Sequence, residues 1–188
     1  MKTLSLLMCQ ALLLCAACAD DDRPSAPTSD AGSDASMPEA LLPTDQAGVE
    51  AFLASGAYLE WHCEPTVHAA RMPSAHTYNR ICSNDRIASN ANGTAAWPKG
   101  AAAVKELYAS ADSTDVVGYA YYVKTEADSA GGANWYWYEQ LPTTGVVAAG
   151  FGDQGVPKQV CVACHSAAGS QDHTPTAGAR DQVYTPVP

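Results

Sequence analysis

AAAVKELY (residues 101–108), VVGYAYYVK (116–124) and NWYWYEQ (134–140) decide the fold of this chain. The three runs are rich in Val, Tyr and Trp, which suit a pleated surface, and Ser/Asp/Gly clusters separate them. Consecutive strands with short connections specify an antiparallel sheet rather than βαβ units. WPKG (97–100) leads into the first run and reads as a turn, with Pro second and Gly fourth. Upstream, HTYNRIC (76–82) reads as another strand, and 84–93 is too polar and turn-rich to assign. Further back, Thr44 is the expected N-cap of a helix with Asp45 in its first turn. Val49, Phe52, Leu53 and Ala57 give that helix one apolar stripe, Gly56 weakens its last turn, and Glu60-Trp61-His62 ends it. Downstream, 143–158 is Gly-rich and reads as a loop returning to the sheet. Asp181-Gln182-Val183-Tyr184-Thr185 reads as a short final strand or docked tail. The expected class is α+β, a mainly antiparallel sheet with flanking helices, in a single domain over 46–188.

The chain of 188 residues carries a formal net charge of −10, which argues against nucleic acid as a partner. The acidity is uneven. Residues 19–45 hold seven acids against Arg23, and their Asp, Pro, Ser and Ala content reads as a flexible linker. Residues 1–18 read as an export signal: Lys2 is the basic start and Leu4 to Leu14 a short apolar core. Two endings are open for it. Cys15-Ala16-Ala17-Cys18 resembles a lipobox that would leave a lipidated Cys18 as the first residue, although Cys15 stands where Leu is usual. Ala17-Cys18-Ala19 also fits ordinary cleavage. Both export the protein to an oxidising compartment, periplasm or outer membrane.

CVACH (161–165) carries the chemistry. Two thiols separated by two residues and followed by an imidazole form the attachment signature of a c-type haem. Each sulfur adds to one vinyl group, and His165 binds iron through Nε2. A thioredoxin-like pair would want an α/β setting, and a tetrahedral zinc site a second ligand pair nearby; neither is present. Of seven cysteines, Cys9 and Cys15 leave with the signal, Cys18 is lipidated or removed, and Cys161 and Cys164 hold the ring. Cys63 and Cys82 remain, to pair or to stay as buried thiols. Pairing would contribute roughly 3 kcal/mol.

Several segments together resemble the cytochrome P-460 family, which includes the cytochromes c′-β. They are Trp97-Pro98-Lys99-Gly100 leading into Val104-Lys105-Glu106, the aromatic run Trp135 to Tyr138, the haem motif and the terminal Asp181 to Thr185. The stretch from His76 to Asp85 resembles the family's preceding strand and helix start. The likeness spans residues 46–188, and the Pro-x-Gly…Val-Lys-Glu segment makes it specific.

The resemblance implies an antiparallel β-fold around one pentacoordinate haem. It also implies a bond from the Lys105 amine to a porphyrin meso carbon, as in the cross-linked members. The strand pattern allows that bond, since Ala101 and Ala103 share the face of Lys105; the alternative is a solvated lysine. Glu106 faces the other way, to the surface or into a salt bridge. The sixth iron position is then open, or filled by His62, His68, His76, His173 or Met72. Hydroxylamine-oxidising members have a distal carboxylate as proton acceptor shortly before the haem motif, where the nearest acid is Asp153. Phe151 is the candidate cap of a nitric-oxide pocket. The implied function is binding or oxidation of small nitrogen species at an open iron, by an enzyme working with a redox partner protein. The alternatives are a non-enzymatic gas-binding protein and a six-coordinate electron carrier. Homodimers are common in the family.

Overall fold

The structure, a computed structural model, describes residues 41–71, 74–168 and 180–184. The expected signal and most of the linker lie outside the described residues, as do Met72 and His173. Among the described residues no helix is long and apolar enough to cross a membrane. The unit Glu39–Pro188 is α+β, built on a seven-stranded antiparallel sheet with few helices.

The first helix, α1 (Gln46–Ser55), starts one residue later than the sequence suggested. Asp45, not Thr44, is its N-cap, accepting from the Gly48 amide at 2.9 Å. Gly56 takes the left-handed conformation (φ 69°) and ends the helix. A 3-10 turn, Ala57–Glu60, then leads into β1 (His62–Cys63) and β2 (His68–Ala69), both paired with β3 (Tyr78–Ser83). The polar stretch after β3 does contain a helical turn, α2 (Asp85–Ala88), capped by Asn84. The following turn is displaced by one residue: the Ala101 amide bonds the Pro98 carbonyl, and Gly100 supplies φ 82° at its third position.

From that turn β4 (Ala102–Tyr108), β5 (Val116–Lys124), β6 (Trp135–Leu141) and β7 (Gly145–Phe151) run up and down beside β3. The strand β7 corrects the expected loop over 143–158. Its Val-Val-Ala-Ala core pairs with β6 despite three flanking glycines. The sheet order is β1-β3-β4-β5-β6-β7. Cys63 and Cys82 sit directly opposite each other on β1 and β3, with their sulfurs at disulfide distance, 1.99 Å.

The two faces of the sheet carry different cores. On one, Val49 and Leu53 of α1 and Tyr58 pack against Val104, Tyr121, Val123, Tyr136 and Tyr138. On the other, Trp97, Ala103, Trp135 and Trp137 pack with Ile87, Val183, Cys161 and Val162. Apolar residues in successive positions of β6 follow from cover on both sides; a sheet with one wet face would alternate. The Cys161–His165 segment lies on a π-helical stretch, Pro157–Val162, continued by α3 (Ala163–His165). Gly152 and Gly132 let this segment approach closely, because a Cβ on either would collide with Val162.

Candidate cofactor-binding site

A cavity of about 480 Å³ opens between the second face of the sheet and the segment carrying CVACH. That size falls within the ordinary range for cofactor sites, roughly 300–1,000 Å³. Lys105, Cys161, Cys164 and His165 all line it. Lys105 is 56 to 60 residues from the other three in sequence, and only the docking of the motif across β4 to β6 brings them together.

Strand register fixes the cavity floor. Lys105 is paired with Ala120, and Ala120 with Glu139, so the three form one row across β4, β5 and β6. Lys105 and Glu139 are therefore two strand spacings apart, roughly 10 Å at Cα. The small Ala120 leaves the space between them open. In the next row Ala103 pairs with Tyr122 and Tyr122 with Trp137. The ring of Trp137 lies 4.7 Å from that of His165, and the rings of Tyr122 and Tyr184 at 5.9 and 5.6 Å.

His165 is oriented by the tail. Its Nδ1 is 2.7 Å from the Gln182 carbonyl oxygen. A carbonyl only accepts, so the proton sits on Nδ1 and Nε2 carries the lone pair a metal needs. Burial, and then the nearby Lys105 charge, bring its pKa down to about 4, so the imidazole is neutral at pH 7. Asp181 and Gln182 form the turn that delivers this carbonyl, both with positive φ (45° and 72°). The expected final strand is this docked hairpin, closed by hydrogen bonds between Arg180 and Val183.

Lys105 has no hydrogen-bond or ion-pair partner among the described residues. Burial lowers its pKa, against an upward pull from Glu139, which favours the neutral, nucleophilic amine. Cys161 and Cys164 are not joined to each other. Burial pushes the Cys161 thiol up to about 12, which does not suit a thiolate redox pair. Among the described residues no group of three or more His, Cys, Asp or Glu side chains could hold a metal ion by itself.

Asp153 is exposed in the turn after β7 and does not line the cavity. The carboxylate that does is Glu139, held above the usual range by burial and pulled down in part by Lys105. Its Oε1 lies 3.4 Å from Nδ1 of His76, another lining residue, whose pKa burial and then Lys105 bring down to about 4. The sequence held a signal for Glu139: on β6 it shares a face with Trp135 and Trp137. Reading that signal needed the register of the whole sheet. Of the other histidines, His62 pairs with exposed Asp85 and His68 with Glu64, and neither lines the cavity. Phe151 packs edge-on against Tyr136 and is likewise not a lining residue. Glu106, expected at the surface or in a salt bridge, is buried on the opposite face and paired with Arg80 at 2.6 Å.

The lining residues fit a large, flat, mainly apolar ring with charged substituents. Val156 and Val160 line the cavity yet remain 42 % and 55 % exposed, apolar surface that such a ring would cover. Trp137 is buried, and its indole nitrogen has no hydrogen-bond partner among the described residues. Arg71 adds a guanidinium to the lining, steadied by Glu64 at 2.7 Å. No protein-family model matches the chain, and no curated protein matches it.

Proposed function

We propose that this is an exported, mono-haem c-type cytochrome resembling the cytochrome P-460 family, which binds or oxidises small nitrogen species such as hydroxylamine or nitric oxide. One observation carries the reading: the two thiols, the histidine with its Nδ1 bonded to the Gln182 carbonyl, and a lysine with no partner among the described residues line a single cavity. Cys161 and Cys164 would hold the ring through thioether bonds, His165 would ligate iron, and Lys105 would tether the ring through its amine. A haem held there supplies an open coordination position and one-electron redox chemistry. Glu139, rather than Asp153, is the carboxylate suited to take a proton from a small substrate in the cavity. His76 Nδ1 lies 3.4 Å from Glu139 Oε1. The leader and the acidic linker support delivery to the periplasm or outer membrane, with Cys18 as the lipid-bearing residue. Electrons would leave to a redox partner protein.

The test is to express the full chain in a host that attaches haem and digest it with trypsin. With the lysine tether, peptides 100–124 and 159–180 stay joined through one haem. If 159–180 carries haem alone, the gas-binding reading replaces the oxidase. If neither peptide carries haem, the whole proposal fails. A reduced spectrum that is low-spin and indifferent to carbon monoxide would instead mark a six-coordinate carrier, with His76 the cavity histidine available to fill the sixth position.

A further inference from the structure

The hairpin that presents a carbonyl to His165 is held down by a charge pair inside the protein. Lys124, at the end of β5, is fully buried, and its Nζ lies 2.8 Å from Oδ2 of Asp181. The same Oδ2 accepts from the Trp97 amide at 3.3 Å. The Trp97 indole donates to the Arg180 carbonyl at 2.9 Å, and the Arg180 guanidinium stacks over the Trp97 ring at 3.6 Å. Tyr184, at the far side of the turn, donates to the Cys164 carbonyl at 3.0 Å. Every one of these contacts fixes the short segment 180–184, whose turn residues hold two positive φ angles. Such a turn persists only when its surroundings over-determine it. A buried lysine is also an expensive anchor unless it meets a carboxylate. Its position is explained if the hairpin must not shift.

We propose that Lys124 and Asp181 are positioning residues for the metal ligand: their ion pair seats the hairpin so that the Gln182 carbonyl accepts a hydrogen bond from Nδ1–H of His165 and sets the donor strength of Nε2. This rests on the haem reading above. A hydrogen bond at the distant ring nitrogen raises the basicity of the ligating one, and loss of such partners weakens metal binding or function markedly. Neither residue lines the cavity, so neither touches the ring, the iron or a substrate.

The experiment compares haem-loaded wild type with Lys124→Met, Asp181→Asn and the conservative Lys124→Arg. It reads the iron–histidine stretching band of the ferrous protein by resonance Raman spectroscopy, together with the midpoint potential. Met and Asn at these sites should lower the band frequency and shift the reduction equilibrium about tenfold toward the ferrous form, ~59 mV. Lys124→Arg should restore most of both. Where Lys124→Met yields no folded protein, Asp181→Asn carries the test, because Asn still accepts from the Trp97 amide. Haem-loaded Asp181→Asn with an unchanged band and potential overturns the inference. A wild type without covalently bound haem overturns the underlying reading instead, and mass spectrometry separates the two failures.

Discussion

Lys105 and Glu106 are adjacent in β4, yet their charges meet opposite fates. Glu106 faces the closed side of the sheet, where its two oxygens receive Arg80 at 2.6 and 3.1 Å and the hydroxyls of Tyr58 and Tyr108 at 2.7 Å each. Burial alone would raise its pKa, but these bonds and the Arg80 charge outweigh burial and hold it below the usual range. Lys105 faces the open side, where it lines the cavity and finds no partner among the described residues. A fully satisfied charge serves the fold; an unsatisfied one beside a cavity is free to meet a ligand. The same strand thus supplies a structural charge and a candidate functional one, separated only by the alternation of side chains.

The contrast breaks first at Glu106. Glu106→Ala leaves Arg80 without its carboxylate and should cost about 3 kcal/mol in urea unfolding; a loss well under 1 kcal/mol would mean the closed face does not depend on it. Tyr108→Phe removes one hydroxyl bonded to that carboxylate and should cost about 1.5 kcal/mol.

A third prediction concerns pH. In haem-free protein, His76 stays neutral in the fold down to about pH 4, whereas unfolded histidine protonates near pH 6.5. The unfolded chain then binds more protons in that window, so stability rises as pH rises from about 4 to 6.5. His76→Gln should flatten that limb by on the order of 1 kcal/mol, and an unchanged slope would remove His76 from the protected cavity. The smallest stability effect belongs to Lys105. Lys105→Met in haem-free protein should not destabilise the fold, since no ion pair is lost and burial already disfavours the charged amine. The same change should free peptide 100–124 from haem. A penalty for Lys105→Met matching that of Glu106→Ala would erase the difference between the two faces.

Local pattern was enough for the strands around residues 101–140, because aromatic and β-branched runs between turn clusters have one good solution. It failed on β7, where Gly145 and Gly150 masked a pairing that only a neighbouring strand stabilises. Glu106 was legible as a salt-bridge partner facing away from Lys105 but not as a buried one, since one strand viewed alone does not reveal whether a second layer covers it. Asp153 was the nearest acid preceding Cys161 along the chain, but nearness in sequence is not nearness in a sheet, and Glu139 reaches the cavity through register.

What the sequence determined alone was the antiparallel class and the spacing of Cys161, Cys164 and His165, because both are local: β-branched and aromatic runs between turn clusters, and one turn of backbone. Tertiary structure decided which acid and which second histidine share the cavity with Lys105, and that a buried ion pair holds the tail against His165. Those are contacts between residues far apart in the chain, set by how strands align and which face each helix covers.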